Sequence, residues 1–543
     1  MFEIAPQYDA TTNTVQLGGQ VLFTIFSLLA LSGKPQRIMY ADPEVGYENA
    51  ANFTIIGKVG AHYLIHITGP DGAEIAAFDD SMHKVARGSL AQLPPHVNKI
   101  EFLPYTDRFL MAYQYQMDDH AYLNLHVGDA DGGTDPTPLF RDSTVLPFRV
   151  TSASPVFQDD YDRPSYIVVR SEDRQWIMVI NIRLYPEKGH ELRTILLDKD
   201  LRVVERSIIP LHMLENGGNF TEFVLDNDGE LAFAQHDQPD EINSVHQLLF
   251  SLKSRGEDTL TTRLISTGPN GLDDVRLRAD NFTRRFLFHA FYRRSGNKNI
   301  MGLFGMTWDK KKGELSAAAF NPIPQKTRLE ARNDLSSPDE IMNHFYLRQI
   351  FPRRDGGSIV LAEMCYGAER YFPDQWRRSD FITGDPASIL VPPRQFLFYR
   401  PREKQGRWQN ITRMPVLRGP LSYNANKYTE DILVMYLDKS ANLTDQRLIK
   451  KAEFTTLANL PLSFQTMVDN RSIRLVYNTL VRGKYLPAIT SIKGDGTLEN
   501  DPLPYGLDTK HVFLPQFAKQ VGANAMIVPA HYKNYLRFAL MTL

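Results

Sequence analysis

Cysteine is almost absent from this chain. The one cysteine, Cys365, excludes an intramolecular disulfide framework. It stands in the apolar run 358–366, which predicts a buried, inert thiol rather than a reactive nucleophile. An excess of one charge is absent as well, since 61 basic residues stand against 63 acidic ones. Proteins that bind a nucleic-acid backbone present clustered excess cation, so this balance argues against nucleic acid as the main partner.

Long hydrophobic runs are also few. The uncharged run 21–31 is too short to span a membrane, but its length suits an export signal. Ala30 and Ser32 supply the small residues that a signal peptidase requires before a new start at Gly33. Residues 1–20 contain no lysine or arginine, so a buried strand or a different native start stays open. We favour an N-terminal extension with an export signal over residues 1–33.

One hairpin signature, in contrast, recurs seven times. An apolar, strand-like run meets a turn rich in Asp, Lys, Gly and Ser, and a second strand follows. Most of these turns lie about 50–70 residues apart, a period in the range of large propeller blades. Each interval divides into four short runs joined by turn residues, as at 220–225, 230–236, 245–252 and 259–265. The seven turns begin at Asp79, Asp129, Asp198, Lys253, Asp309, Asp438 and Lys493.

Such four-stranded units predict an all-β fold that closes into a ring. A single meander cannot bury its faces alone and must stack on neighbours, and strand twist turns this stacking into radial closure. We therefore predict a single β-propeller over residues 34–543. Seven turns account for seven blades, and three further strands follow near the C-terminus. An early strand near 36–40 would complete that last blade and close an eight-bladed ring, with seven blades as the alternative.

The interval between Asp309 and Asp438 is about 129 residues and predicts an insertion at 367–428. This segment is rich in aromatics and holds eleven Lys or Arg against five acids. Tryptophan and arginine dominate binding hot spots, so the insertion is the predicted contact surface. A lid whose aromatics pack on the blade edges is the open alternative. The predicted binding residues are Tyr371, Trp376, Arg377, Arg378, Phe398, Tyr399, Arg400, Arg407 and Trp408.

Metal ligands are weakly indicated. His62 and His66 fall on one strand face, but the sequence shows no third ligand. Asp129, Asp131 and Asp135 resemble part of a calcium loop without its closing glutamate, which favours a solvated hairpin turn. We predict no metal and no cofactor.

Catalytic motifs are missing. The sequence has no Gly-x-Ser-x-Gly elbow, no Walker-type phosphate loop and no sialidase, WD or kelch signature. Asp118-Asp119 and Asp159-Asp160 lie in predicted loops, but adjacent acids are ordinary turn residues. We predict no catalytic residue. A propeller glycosidase or polysaccharide lyase, with carboxylates around a central channel, is the alternative.

Several segments form a further pattern. They include Phe53-Thr-Ile-Ile-Gly57, Leu225-Asp-Asn-Asp-Gly229 and the closing stretch from Phe513-Leu-Pro to Asn534-Tyr. In these segments the chain resembles a family of exported, β-propeller-like proteins of unknown function found in Bacteroidota. The resemblance runs from about residue 38 to residue 543 and implies the fold and an exported location, but no catalytic residues.

Together these observations predict a non-catalytic binding or scaffold propeller of the bacterial cell envelope, periplasmic or associated with the outer membrane. A loop-decorated disc presents area rather than a deep pocket, so a protein partner is favoured over a glycan. The secretion or gliding machinery of such bacteria is a candidate partner by analogy alone. No transmembrane span is expected.

Overall fold

The computed structural model describes residues 36–44, 52–145, 166–367 and 427–543, with short gaps at 70–71, 91–92, 95–96, 186–188, 213, 215–218, 237–243, 332–336, 456–461, 482–483 and 533–534. Almost all regular structure in these residues is β-strand. The strands form eight separate antiparallel sheets of four or five strands each. The protein is an eight-bladed β-propeller, which confirms the predicted fold and excludes the seven-bladed alternative.

In blades 1 to 7, chain order runs from the inner strand to the outer strand, whereas the outer strand of blade 8 comes from the start of the described chain. In the third blade, for example, the first strand is largely buried and the last strand is mostly exposed. One strand, β1 (Arg37–Tyr40), precedes blade 1 and belongs to blade 8.

The first four blades are these. Blade 1 contains β2 (Asn52–Val59), β3 (His62–Gly69), β4 (Gly72–Phe78) and β5 (Lys84–Ser89); blade 2 contains β6 (Val97–Pro104), β7 (Phe109–Met117), β8 (His120–Gly128) and β9 (Phe140–Val145). Blade 3 contains β10 (Ile167–Arg170), β11 (Trp176–Tyr185), β12 (Gly189–Asp198) and β13 (Val203–Leu211); blade 4 contains β14 (Asn219–Phe220), β15 (Val224–Leu225), β16 (Leu231–His236), β17 (Gln247–Lys253) and β18 (Thr261–Ser266).

The other four blades complete the ring. Blade 5 contains β19 (Asn270–Asp280), β20 (Arg285–Arg294), β21 (Gly302–Asp309), β22 (Glu314–Leu315) and β23 (Ala319–Pro322); blade 6 contains β24 (Phe345–Pro352), β25 (Ser358–Gly367), β26 (Lys427–Leu437), β27 (Leu443–Ile449) and β28 (Glu453–Thr455). Blade 7 contains β29 (Phe464–Val468), β30 (Ser472–Val481), β31 (Lys484–Lys493) and β32 (Leu498–Asn500); blade 8 contains β33 (Val512–Phe513), β34 (Lys519–Gly522), β35 (Ala525–Tyr532) and β36 (Tyr535–Thr542).

Helices are short in the described residues. The only α-helix there is α1 (Gln325–Glu330), and 3₁₀ turns occur at Ile341–His344 and Pro515–Phe517. No helix in the described part of the chain has the length and apolar character needed to cross a bilayer.

All seven predicted hairpin turns connect the third strand of a blade to its outer strand. In four of them the leading aspartate caps the turn, since its Oδ1 accepts hydrogen bonds of 2.8–2.9 Å from the backbone N–H groups two and four residues later. The residue three positions after the aspartate has a positive φ in each case. The recurring aspartate therefore sets the local geometry of the hairpin. The four capping residues are Asp79, Asp129, Asp198 and Asp438.

The N-terminal strand closes the ring. Strand β1 pairs antiparallel with β36, in register from Arg37 opposite Thr542 to Tyr40 opposite Ala539. The side chain of Ile38 is buried in a hydrophobic cluster formed by residues of blades 7 and 8. Tyr40 stacks on His511 with 4.3 Å between the ring centroids. The predicted closure of the last blade by a strand near 36–40 is confirmed.

Hydrogen bonds join every neighbouring pair of blades. They involve backbone groups and long polar side chains rather than strand ladders, so each blade keeps its own sheet. In ring order from blades 1–2 to blades 8–1, they are Gly60 N to Thr106 O, Gln114 Nε2 to Tyr166 O, Trp176 Nε1 to Asn227 O, Asn227 N to Asn281 Oδ1, Leu347 N to Asp274 Oδ2, Thr466 Oγ1 to Gln349 Oε1, Gln465 Nε2 to Ala518 O, and Lys519 Nζ to Ile56 O.

Blade 4 differs from its prediction. The inner strand expected at 220–225 is divided into β14 and β15. The reason is that Thr221 Oγ1 accepts the N–H of Ala234 at 2.9 Å, a bond that replaces part of the strand ladder. The carboxylate of the next residue, Glu222, pairs with Arg276 of blade 5. The inner strand of blade 4 is thus interrupted where Glu222 forms an ion pair with the next blade.

Candidate functional site

The nine residues predicted to bind a partner all lie outside the described residues. Strands β25 and β26 of blade 6 flank the insertion, and their pairing continues to Gly367 opposite Lys427. Because the strands of a blade alternate in direction, this connection lies on the opposite face from the seven hairpin turns. We call the two sides the insertion face and the turn face.

The histidines that share a strand have separate partners. His62 Nδ1 lies 3.1 Å from the carbonyl oxygen of Ala130 and 3.2 Å from a carboxylate oxygen of Asp131. His66 stands 5.1 Å from the ring of Phe102, and burial lowers its pKa to about 4. The two imidazoles therefore serve blade packing and do not form a metal site.

The acids considered from the sequence also have local roles. Asp129 caps its hairpin, as a solvated turn requires. Asp119 lies 2.6 Å from the neighbouring His120 at the hairpin between β7 and β8. The pair Asp159-Asp160 lies outside the described residues. Cys365 is buried as predicted, and burial raises the pKa of its thiol.

Three acids of blade 4 do converge, but the chain supplies their cation. Ligand oxygens of Asp226, Asp228 and Glu230 lie within 4.8 Å of one another. The ammonium of Lys310 contacts Asp226 and lies 2.7 Å from both Asp228 and Glu230. A lysine therefore stands where a metal ion would bind, and the cluster joins blades 4 and 5.

A second charged group is fully buried at the base of the insertion. Lys451 Nζ lies 2.8 Å from Glu363 and 2.7 Å from Glu453, and all three side chains have 0% exposure. The N–H of Ser463 donates to Glu453 at 2.6 Å. Burial raises the pKa of Glu453, and the ammonium of Lys451 opposes that rise. We call these three residues the buried charge network. Arg348 lies 3.4 Å from Glu363, so two cations face the two carboxylates, and this balance indicates a structural role.

A third group is cationic, and among the described residues no carboxylate forms an ion pair with it. Tyr105 follows the inner strand of blade 2, Arg170 ends the inner strand of blade 3, and Arg174 stands in the next turn. Lys519 begins β34 of blade 8. We call these four residues the inner cationic cluster. They come from blades 2, 3 and 8, so only ring closure brings them together.

Long side chains span the gap between these blades. Lys519 Nζ reaches over blade 1 and donates to the carbonyl oxygens of Ile55 at 3.1 Å and Ile56 at 3.0 Å. Arg174 reaches towards blade 2 and donates to the carbonyl oxygen of Pro104 at 3.2 Å. The cation of blade 8 thus reaches blade 1, that of blade 3 reaches blade 2, and the charges of Arg170 and Arg174 act on Lys519.

Burial makes the charged forms of two residues of the cluster unfavourable. Burial, with a smaller contribution from the charges of Arg170 and Arg174, lowers the pKa of Lys519 to about 7. Burial likewise lowers the pKa of Arg170 to about 10. Arg170 Nη1 and the hydroxyl of Tyr105 are buried and have no hydrogen-bond partner among the described residues. Perturbed, unpaired groups of this kind are typical of functional sites.

Lys519 should therefore reduce stability, and its replacement should increase it. Its folded-state pKa lies below the ordinary 10.5, so the unfolded chain binds more protons between about pH 7 and pH 10, and stability rises with pH in that window. One pKa unit corresponds to about 1.4 kcal/mol, and the loss of the two hydrogen bonds to Ile55 and Ile56 offsets only part of the gain. We therefore expect Lys519→Met to raise the free energy of unfolding by at least about 1 kcal/mol at pH 7. Denaturant unfolding measures the gain, which should shrink towards pH 10. Lys326→Met, at a side chain that is 86% exposed, is the control. An equal gain in stability in that variant would show that the burial of Lys519 is not the cause.

Comparison with known proteins does not assign the chain to a family. No protein-family model and no curated protein matches the chain. Among solved structures, it is similar to prolyl oligopeptidase B from Galerina marginata at 9% identity and a TM-score of 0.37, over 90% of this chain and 56% of that one. It is also similar to a polysaccharide lyase, an ulvan lyase, at 8% identity and a TM-score of 0.35, over 81% of this chain and 91% of that one. A third similar structure is a dihydro-heme d1 dehydrogenase, at 12% identity and a TM-score of 0.36, over 94% of this chain and 77% of that one. We transfer no activity or ligand from them.

Proposed function

We propose that this protein is a non-catalytic binding propeller that takes a ligand at the inner cationic cluster. The supporting observation is that Arg170 Nη1 and the hydroxyl of Tyr105 are both buried without a partner among the described residues. A buried donor without an acceptor destabilises the folded state, and such groups in native proteins call for an explanation. A bound ligand that supplies the acceptor explains both donors at once.

The acid clusters of the described residues favour binding over glycan cleavage. A glycosidase places two carboxylates on either side of the scissile bond. In blade 4 the three converging acids are held by Lys310, and in blade 6 the two buried glutamates are held by Lys451. These carboxylates are therefore engaged within the chain and do not face a substrate.

We further propose that the protein acts in the bacterial cell envelope and engages a protein partner through the insertion face. The apolar run 21–31 and the resemblance to exported proteins support this location. The aromatic and arginine content of 367–428 supports the contact. Strand pairing up to Gly367 and Lys427, above the buried charge network, gives the insertion a rigid base.

Deleting residues 368–426, with a short glycine linker in their place, should strongly weaken partner binding. Hot-spot residues contribute 2 kcal/mol or more, so we expect the affinity to fall by about 30-fold or more. Affinity capture from envelope extract identifies the partner, and titration with the purified partner measures the change. The control is Arg206→Gln, at a half-exposed arginine on the outer strand of blade 3, which should keep the partner. If the deletion leaves the affinity unchanged, the insertion is not the contact surface.

A further inference from the structure

We propose that the inner cationic cluster is an oxyanion site, whose ligand presents a carboxylate, phosphate or sulfate group to Arg170, Tyr105 and Lys519. This assignment rests on the binding function proposed above and names the chemical class of its ligand. Three observations carry it: the unpartnered donors, the unmatched charge and the fixed geometry of the side chains.

The first observation concerns the donors. A guanidinium donates only, and a phenolic hydroxyl can donate. Tyr105 and Arg170 lie close enough to influence each other's pKa, but they are not hydrogen-bonded to each other. Tyr105 is only 8% exposed. A single acceptor between the two side chains would give both donors a hydrogen-bond partner. An oxygen atom of an oxyanion is such an acceptor.

The second observation concerns the charge. Within the described residues, no carboxylate forms an ion pair with Arg170, Arg174 or Lys519, and the pKa of Lys519 is shifted only by burial and by the two arginines. The nearby carboxylate of Asp200 is held by Arg108 and, at 3.0 Å, by Lys199. A water molecule could satisfy the donors but would leave the positive charge unmatched. An anion removes both penalties, and the burial of Arg170 and Lys519 strengthens its attraction to these two cations, whereas Arg174 is exposed.

The third observation concerns preorganisation. An ammonium has three N–H donors, and Lys519 uses two of them on the carbonyl oxygens of Ile55 and Ile56. The third remains for a ligand. Arg174 is anchored by the carbonyl oxygen of Pro104. Side chains fixed in this way lose little entropy on binding, and a guanidinium matches the paired oxygens of carboxylate or phosphate.

Isothermal titration of the full chain with phosphate, sulfate and acetate, at an ionic strength held constant with chloride, tests the assignment. We expect at least one of these oxyanions to bind the wild-type protein. Arg170→Gln and Lys519→Met should each weaken that binding by about tenfold or more, because a charge-assisted hydrogen bond is lost. Arg206→Gln removes a half-exposed arginine from the outer strand of blade 3 and should change nothing.

The outcomes separate the two proposals. If no oxyanion binds, or if Arg170→Gln and Lys519→Met bind as tightly as the wild type, the proposed ligand class is wrong. The partner measurement on the insertion face still tests the binding function in that case. Melting temperatures show whether each variant is folded. Tyr105→Phe, which removes only a hydroxyl, provides a second measure and should weaken binding by a smaller factor.

Discussion

Replacing Lys451 by methionine should lower the free energy of unfolding by about 3–5 kcal/mol, the range measured when one partner of a buried ion pair is removed. Its ammonium is the shared partner of Glu363 and Glu453, and none of the three side chains is exposed. Without it, two carboxylates remain in a low-dielectric interior. Arg348, at 3.4 Å from Glu363, is the one other basic side chain in contact with these two carboxylates among the described residues. Equilibrium unfolding in urea measures the effect.

The matched control removes all three charges at once, as Glu363→Gln, Lys451→Met and Glu453→Gln together. Replacing the partners of a buried ion cluster together is often close to neutral, and Arg348 keeps its 2.9 Å hydrogen bond to Ser463 Oγ, so the triple variant should recover most of the lost stability. The pH dependence gives a second readout. Since protonation removes the unpaired charges, the loss in Lys451→Met should be smaller at pH 5 than at pH 8. Equal losses in the single and triple variants would show that packing, not charge, is responsible.

Placing a charge in the closing strand should have the second large effect. Ile38 is 6% exposed and packs among residues of blades 7 and 8, opposite Met541. A buried aspartate without a partner costs several kcal/mol, and the strand that carries it has only four residues to hold it in place. We therefore expect Ile38→Asp to lower the free energy of unfolding by about 3 kcal/mol or more.

Ile38→Val is the control for this prediction, with an expected loss of about 0.5–1.5 kcal/mol. Denaturant unfolding compares the two variants, and limited proteolysis near the N-terminus reports whether the strand detaches. If the aspartate variant lost no more than the valine variant, the four residues of β1 would not be needed to close the ring.

The turns explain why the fold could be predicted. In a hairpin such as that at Asp198, the aspartate, the two backbone donors and the residue of positive φ are all neighbours in sequence. The signal is local, so its recurrence revealed the blades and their period. Closure near 36–40 followed from counting strands, because three strands near the C-terminus leave one place open. Long-range contacts escaped this reasoning. The division of the inner strand of blade 4 depends on Thr221 and Ala234, whose bond no local pattern indicates.

The candidate site shows the other limit. In sequence, Arg170 and Arg174 flank an ordinary charged turn, and Lys519 begins a short polar stretch. Nothing near them suggests that they share an environment. The aromatic insertion gave a stronger sequence signal, and its nine predicted residues stay a prediction.

The sequence by itself predicted the four-stranded blades and the strand that closes the ring, with eight blades favoured over seven, because hairpin chemistry and strand alternation act between near neighbours. Only the tertiary structure decided which charges are matched. Lys310 and Lys451 form ion pairs with carboxylates, whereas the charge of Lys519 is opposed by those of two arginines. Electrostatic energy depends on distance and burial in space, and ring closure sets both for residues hundreds of positions apart.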